Sequence, residues 1–510
     1  MQAPFLFPRG QEHILGRMSK SPAAALKAGW GAADITPQRT AELFGQYYHR
    51  VSRSIRDPLG VTALALEHGD GGGGDAQAIL VSCDQAMVDR PLVEAVRGRL
   101  RKLVPDFDPA RLVISGTHTH CAPAAHDPLQ WWKHDPALLS TEEFRVLLLD
   151  GLTSAAADAW RSRAPAQVGV ACGLASVGHS RRAHYQDGSS EMYGSTARPD
   201  FVGMESGQDD TVGVIGVWNR EGKLTGILTN VACPSQVMEA TYVVTADMFG
   251  EMRRRLKERF GDRLFVLCQV GAAGDQSPRD LTRPWRSGPT YWDEEGLVEL
   301  GGRLAQAVAE ALPRAEAARK TDLLLRHEVR TPRLPVRMVS LEEYARAAAE
   351  LAALTAREPA DPQSPDGAYA RFVRRINEAE KTPQPGPYDD KNDDFVLMRN
   401  LEAVVKRFQT QRREPDFAAE LHILRLGDTA LATSPFELYL DYGMRLRARS
   451  PAALTLHAQL SCDEGGYLPT ARAVKAGGYG ALVANGFVGP EGGQLLVEHT
   501  LEALHRLFPD

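Results

Sequence analysis

The pattern of apolar and polar positions predicts strands that alternate with a helix in the first quarter of the chain. Apolar runs containing β-branched residues occur at 61–67, 78–82 and 112–114, and each has the length of a strand. Between the last two runs, the segment 91–104 carries apolar residues at helical spacing along one side. This alternation indicates a mixed or parallel sheet that is covered by helices.

The middle of the chain also contains segments with strand patterns and segments with helical patterns. Segments 212–218 and 224–231 have the pattern of a hairpin whose turn is 219–222. Segment 249–260 has a helical pattern, and 264–269 returns to a strand pattern.

The pattern changes at residue 340. Ser340 and Glu343 have the spacing of a capping box, and the alanine-rich stretch that follows favours a helix. Two further helical pieces end near residue 412, and strand patterns resume at 420–426 and 429–433. We therefore expect an α/β (α+β) fold, in which a mixed multi-stranded sheet core is flanked by helices. A helical insertion at 340–413 would separate core segments 25–339 and 414–510.

Composition narrows the class of protein. The chain has 510 residues, 43% of them hydrophobic and 24% charged, as in an ordinary globular protein. A net charge of -6 argues against a nucleic-acid partner. No apolar run reaches the ~18 residues of a transmembrane segment, and the N-terminus has no secretory pattern, so a cytoplasmic location is expected. The six scattered cysteines indicate free thiols, and the sequence leaves a homo-oligomer open.

The sharpest chemical signal is the pair His118 and His120, which follows the predicted strand 112–114. In an extended chain, residues two apart point to the same face, so both rings can meet one metal ion. Alternatively, one ring binds the metal and the other acts as acid, base or substrate contact. Two histidines in a polar loop without a ligand are the competing interpretation.

Other candidate residues lie in loops that follow predicted strands. Asp275 and Ser277 offer a carboxylate and a hydroxyl, although such a loop is more often a simple turn. Glu437 suits a helix N-terminus equally well, and Tyr467 could be a packing residue. Arg181 could clamp an anion or a carbonyl group, or belong to a basic surface pair.

Taken in order, these motifs resemble the N-terminal catalytic region of the neutral/alkaline (non-lysosomal) ceramidases. The matching stretches, spread over nearly the whole chain, are 33–37 (ADITP), 81–84 (VSCD), 117–123 (THTHCAP), 180–181 (SR), 274–278 (GDQSP) and 467–470 (YLPT). The resemblance implies a catalytic zinc ion held by two histidines, a glutamate and a tyrosine. His118, Glu437 and Tyr467 match three of these ligands.

The resemblance also assigns roles around the metal. His120 and Tyr479 match substrate-site residues, Arg181 matches a substrate-contacting arginine, and Ser277 matches a serine proposed to take part in amide cleavage. One position departs from the family pattern, because the stretch 230–235 (NVACPS) contains no second zinc histidine. Cys233 could supply a thiolate ligand instead, or it could be a buried core thiol while the metal is bound differently or lost.

The resemblance therefore implies a zinc-dependent hydrolase that cleaves an amide (N-acyl) bond with a metal-activated water. His120, Ser277 and Asp275 are the candidate catalytic residues, and Arg181 and Tyr479 the candidate substrate contacts. The expected metal ligands are His118, Cys233, Glu437 and Tyr467. The substrate would be a small or N-acylated molecule. Two alternatives remain: a hydrolase or lyase acting on a carbohydrate or other soluble metabolite, and a non-catalytic binding protein.

Overall fold

The structure is a computed structural model that describes residues 26–69, 76–125, 135–283, 291–361, 364–381 and 390–509. The strands in the described residues are, in chain order, β1 (Leu26–Asp34), β2 (Ser54–Ile55), β3 (Gly60–His68), β4 (Gln77–Cys83), β5 (Leu112–Gly116), β6 (Ala164–Leu174), β7 (His179–Ser180), β8 (Arg182–Tyr185), β9 (Ser190–Met192), β10 (Phe201–Met204), β11 (Thr211–Asn219), β12 (Leu224–Val231), β13 (Val243–Val244), β14 (Phe265–Val270), β15 (Gln276–Ser277), β16 (Leu325–Arg330), β17 (Arg333–Pro335), β18 (Asp416–Ala418), β19 (Leu421–Leu426), β20 (Thr429–Thr433), β21 (Glu437–Leu438), β22 (Leu454–Ala458) and β23 (Tyr467–Leu468).

The α-helices in the same residues are α1 (Arg90–Leu103), α2 (Thr141–Arg161), α3 (Asp247–Phe260), α4 (Glu294–Ala317), α5 (Leu341–Thr355), α6 (Ala368–Ala379), α7 (Asp394–Thr410), α8 (Leu440–Arg449), α9 (Ala471–Ala476) and α10 (Pro490–Leu507).

Eight strands form the main sheet in the order β14-β12-β11-β6-β1-β3-β4-β5. The pairs β12–β14 and β4–β5 are parallel, and the other neighbours are antiparallel. Strands β4 and β5 are buried along their whole length, as expected for strands that are covered on both faces. The predicted mixed sheet is therefore confirmed.

A second sheet, with strand order β16-β19-β20-β22, packs against the main sheet. Aliphatic side chains from both sheets fill the layer between them: Leu64, Leu66, Leu80, Val168, Ile215, Val217, Leu228, Leu325, Leu424, Leu426 and Leu431. Full burial of one such side chain contributes about 1.5–3 kcal/mol, so this layer holds the two sheets together.

Helices cover the outer surfaces of both sheets. Helix α2 packs on β1 and β3, and α4 packs on β6 and β11 with α3 beside it. On the second sheet, α8 contacts β22 and α10 contacts β19. Helix α2 approaches β1 so closely that a Cβ atom on Gly31 would lie 2.1 Å from the carbonyl oxygen of Ala155. Only glycine fits at this contact, which fixes the helix against the sheet.

The range 340–413, called the insertion below, contains the helices α5, α6 and α7, and its separation from the two core segments stays a prediction. Helix α5 begins with the predicted capping box, in which Ser340 and Glu343 each bond the other's backbone. Phe372 and Phe395 of the insertion form an apolar cluster with Tyr48 of the core. The insertion is thereby anchored beside residues 47–48.

Most predicted elements lie where the pattern placed them. The predicted helix 91–104 is α1, the run 112–114 lies inside β5, and the predicted hairpin is formed by β11 and β12. No helix in the described part of the chain is both long and apolar enough to cross a membrane.

Candidate active site

Short strand pairs bring the candidate residues together from distant parts of the sequence. Glu437 in β21 is the direct register partner of Tyr467 in β23. Ser277 in β15 pairs with His179 in β7, and Arg181 follows β7 directly and donates its backbone N–H to the carbonyl of Asp275. The site is therefore built from loops and two-residue strands that follow strands of both the main sheet and the second sheet.

His118 has a fixed orientation and a strained backbone. Its φ of 63° lies in the left-handed region, which is uncommon for any residue other than glycine. The backbone N–H donates to the carbonyl of Gln85, and ring atom Nδ1 lies 2.7 Å from the carbonyl oxygen of Ala86. A carbonyl oxygen only accepts, so Nδ1 carries the proton and the lone pair of the neutral ring is on Nε2. Strain of this kind is typical of functional positions.

The His118 Nε2 atom faces a carboxylate. Glu437 Oε2 lies 3.4 Å from it, and both side chains are almost fully buried. Burial opposes ionisation of both groups, but their mutual attraction outweighs it: the pKa of His118 is raised and that of Glu437 is lowered. Two acceptor atoms at this separation need a cation between them, either a proton or a metal ion.

Arg181 and Tyr467 complete this cluster. Arg181 Nη2 donates to the Tyr467 hydroxyl at 2.9 Å and to the carbonyl of Gly274 at 2.8 Å, and it lies 3.9 Å from Glu437 Oε2. The interaction with the Tyr467 hydroxyl also helps to lower the pKa of Glu437. Burial is the largest influence on the Tyr467 phenol and raises its pKa well above the ordinary value. The structure thus brings His118, Glu437, Tyr467 and Arg181 into one site.

His120 lies beside this cluster with a different set of partners. Its ring is 5.0 Å from the His118 ring, between centroids, and its Nε2 atom lies 2.6 Å from Gln236 Nε2. Burial and the neighbouring His118 lower its pKa well below the ordinary value, so the ring is neutral. Gly45 leaves room for this ring: a Cβ atom there would lie 2.4 Å from His120 Cγ, and its φ of 110° also requires glycine.

Glu239 is a site residue that the sequence interpretation missed. Its Oε2 atom lies 3.3 Å from His120 Nδ1 and accepts a hydrogen bond from Gln46 Nε2 at 3.1 Å. Tyr193 donates its hydroxyl to the other carboxylate oxygen at 3.4 Å. The carboxylate is suited to orient the His120 ring. The sequence signal was weak, since Glu239 is one acid in a mainly apolar stretch after β12.

Glu464 was also missed, although it lies in the loop just before the motif 467–470. Burial and the nearby Glu437 and Asp89 carboxylates raise its pKa to about 7. A carboxyl group that exchanges a proton near neutral pH beside a buried His–Glu pair suits acid–base chemistry.

The remaining candidate residues, Tyr479, Ser277 and Asp275, each contact a different set of neighbours. Tyr479 packs edge-on against the Tyr467 ring at 5.9 Å between centroids. The Ser277 hydroxyl accepts the backbone N–H of Arg279 at 3.1 Å. Asp275 instead accepts the backbone N–H of Leu440, the first residue of α8, at 2.9 Å. Its carboxylate anchors the start of that helix.

Cys233 is buried and its thiol donates to the carbonyl of Val177 at 3.1 Å. Burial raises the pKa of this thiol well above the ordinary value. In the described residues, one group of three His, Cys, Asp or Glu side chains has all its donor atoms within 4.8 Å of one another, and Cys233 is not a member. The structure therefore does not bring the Cys233 thiol into that spacing with His118 and Glu437.

The group with that spacing is Glu420, His422 and Cys462, which the sequence interpretation did not single out. His422 Nε2 lies 2.7 Å from Glu420 Oε1 and 3.7 Å from Cys462 Sγ, a spacing compatible with a shared metal ion. Arg97 already pairs with Glu420 through two hydrogen bonds and lies 3.9 Å from the Cys462 sulfur. Because its guanidinium supplies the positive charge here, the cluster is balanced without a metal.

Comparisons with known proteins identify the fold. No family model matches the chain, and no curated protein shows significant sequence similarity to it. The structure is similar to the neutral ceramidase from Pseudomonas aeruginosa, with a TM-score of 0.64 and 19% identity over 95% of this chain and 75% of that one. A ceramidase complexed with C2 gives a TM-score of 0.63 and 17% identity over 95% of this chain and 76% of that one. The fold expected from the sequence motifs is confirmed, and over nearly its whole length this chain has the fold of the neutral ceramidases.

Proposed function

We propose that the protein is a metal-dependent hydrolase of N-acyl (amide) bonds, with zinc held by His118, Glu437 and Tyr467. The observation that carries this proposal is the pair of acceptor atoms His118 Nε2 and Glu437 Oε2, 3.4 Å apart and both buried. Two donors about 2.0–2.1 Å from a tetrahedral zinc ion are separated by roughly 3.3–3.4 Å. The spacing and the donor types fit zinc, and the similarity to solved ceramidases supports this type of hydrolase.

Three protein ligands suffice for a catalytic zinc site. Such sites commonly keep the fourth position open for water or substrate. The Cys233 thiol has its own acceptor in the Val177 carbonyl, so this proposal leaves it out of the ligand set. A zinc ion in this place would polarise a substrate carbonyl and lower the pKa of water.

The surrounding side chains have roles that follow from their contacts. The Arg181 guanidinium, held by Gly274 and Tyr467, is a fixed donor for the oxygen that gains negative charge during amide cleavage. Neutral His120, whose Nδ1 atom faces the Glu239 carboxylate, has its lone pair on Nε2 and can accept a proton there. Ser277 and Tyr479 offer hydroxyl groups to the substrate.

Metal analysis of the purified protein tests the metal site. We expect about one zinc ion per chain, and we expect His118→Ala to lose both the zinc and the hydrolysis of N-acyl amides. The exposed His505→Ala is the matched control and should keep both. If the zinc remains in His118→Ala and disappears in Cys462→Ala, the metal belongs to the Glu420 cluster and the proposed site is wrong.

Glu464→Gln tests acid–base chemistry at the site. The carboxyl group of Glu464 has a pKa raised to about 7, so it becomes ionised as the pH rises through neutrality. If it accepts a proton during the reaction, kcat/KM of the natural protein rises through about pH 7. In Glu464→Gln this rise of kcat/KM with pH should disappear, and kcat/KM above pH 7 should be about 10²-fold lower than in the natural protein. An unchanged pH profile in the variant would exclude this role, and Glu498→Gln on the surface of α10 serves as control.

A further inference from the structure

A row of three tyrosines leads away from Tyr467. The Tyr479 ring packs edge-on against Tyr467 at 5.9 Å, and Tyr47 packs edge-on against Tyr479 at 6.1 Å, both between ring centroids. The Tyr47 hydroxyl donates to the Tyr479 hydroxyl at 3.3 Å. This row gives a substrate bound at Tyr467 an aromatic wall to lie along.

Lys391 brings a positive charge to this wall. Its Nζ atom lies 4.8 Å from the centroid of the Tyr47 ring and 4.9 Å from that of Tyr479. Both distances are in the range of cation–π attraction. The Tyr479 ring therefore contacts both Lys391 and Tyr467.

The charge comes from the helical insertion. Lys391 precedes α7, and the insertion is tied to the core by the aromatic cluster around Tyr48 and by a hydrogen bond from Tyr242 to Glu380. Phe395 of this cluster lies in α7, so the helix that follows Lys391 packs against the core. The Lys391 ammonium already contacts two aromatic rings, which reduces the side-chain freedom that is lost when it binds an anionic group.

A second cation lies near the site on an aromatic ring. Arg279, two residues after Ser277, has its guanidinium 5.4 Å from the Trp292 ring. Trp292 packs edge-on against Tyr193, whose hydroxyl donates to Glu239. The walls of the site thus combine aromatic faces with cations, which favours a substrate that has an apolar or amide part and an anionic group.

We propose that Lys391 binds a carboxylate on the substrate, so that the substrates are N-acyl compounds with a carboxylate close to the amide, such as N-acyl amino acids. This inference rests on the proposed amide hydrolysis. In that reaction water adds to the acyl carbon, the C–N bond breaks, and the leaving nitrogen takes a proton to give an acid and an amine. With the amide at Tyr467, the carboxylate of the amine part would lie at Tyr479, within reach of Lys391.

The test compares two substrates that differ only in charge, N-octanoylglycine and N-octanoylglycinamide. The natural protein should prefer the carboxylate by at least 10-fold in kcat/KM. Lys391→Met should raise KM for the carboxylate about 10-fold or more, with kcat little changed, and leave the glycinamide unaffected. Lys391→Arg should keep most of the preference, and Lys406→Met, an exposed lysine of α7, should change nothing.

Two results would overturn the inference while the proposed function stands: equal use of the two substrates by the natural protein, or an equal loss for both in Lys391→Met. If neither substrate is cleaved, the proposed function is in question, and calorimetric binding of N-octanoylglycine decides the role of Lys391 separately. If the natural protein binds N-octanoylglycine and Lys391→Met binds it at least 10-fold more weakly, the role of Lys391 is supported. If the natural protein does not bind it, or if the variant binds it equally well, this role is rejected.

Discussion

Replacing Glu437 with glutamine is expected to lower kcat/KM for an N-acyl amide about 10³-fold or more, which corresponds to about 4 kcal/mol of transition-state stabilisation. Glutamine keeps the size of the side chain but removes its negative charge. The charge is what attracts a cation to the 3.4 Å gap between Glu437 Oε2 and His118 Nε2. Without it, His118 loses its ionic partner and Arg181 remains as a buried cation beside a neutral amide.

The measurement combines steady-state kinetics with zinc content and circular dichroism of the same preparation. We expect unchanged secondary structure, reduced zinc and the loss of activity described. Glu328→Gln removes a partly exposed carboxylate of β16 that pairs with Arg506, and it should retain full activity. Retention of more than a tenth of the activity in Glu437→Gln would contradict the assignment of Glu437 as a ligand.

Much of the fold could be predicted because its elements have local patterns. Strand β5 and helix α1 follow from the apolar periodicity of 112–114 and 91–104, and α5 follows from the capping box at Ser340. The order of strands could not be predicted this way. Strands β6 and β1 are neighbours although about 130 residues separate them, and such pairing depends on how helices α1 and α2 pack.

The site could be predicted only in part for a related reason. His118 and Tyr467 stand in recognisable motifs, and the register of β21 with β23 brings Glu437 beside Tyr467. Glu239 and Lys391 have no motif. They reach the site because a loop after β12 folds back on His120, and because the insertion packs beside Tyr48. Contacts of this kind arise from tertiary packing, which a single sequence does not display.

The second prediction with a large expected effect concerns the stability of the fold. Arg97→Met is expected to lower the free energy of unfolding by about 3–5 kcal/mol, because it leaves the Glu420 carboxylate without its cationic partner. Arg97 is buried on α1 and donates to Glu420 Oε2 at 3.0 Å and to the Leu112 carbonyl at 3.1 Å. Glu420 directly precedes β19, so this pair connects the edge of the main sheet to the second sheet.

The ion pair between Arg97 and Glu420 also predicts how the free energy of unfolding depends on pH. Burial alone would raise the pKa of Glu420, but hydrogen bonds from His422 and Arg97 outweigh it and lower the pKa below the ordinary value. A carboxyl group whose pKa is lowered by folding stabilises the protein above its unfolded pKa, about 4.3, and this stabilisation is lost as the pH falls. The difference between the natural protein and Arg97→Met should therefore stay constant from pH 8 to about 5 and shrink below it.

Denaturant unfolding at several pH values measures this effect. The double variant Arg97→Met/Glu420→Gln should recover part of the loss, because it removes the unpaired charge together with its partner. Arg99→Met on the same helix breaks an exposed pair with Asp150 and should cost less than about 1 kcal/mol. A loss in Arg97→Met as small as that of Arg99→Met would mean that the ion pair is not what joins the two sheets. A loss that stays the same below pH 4 would assign the effect to the packing of the arginine stem.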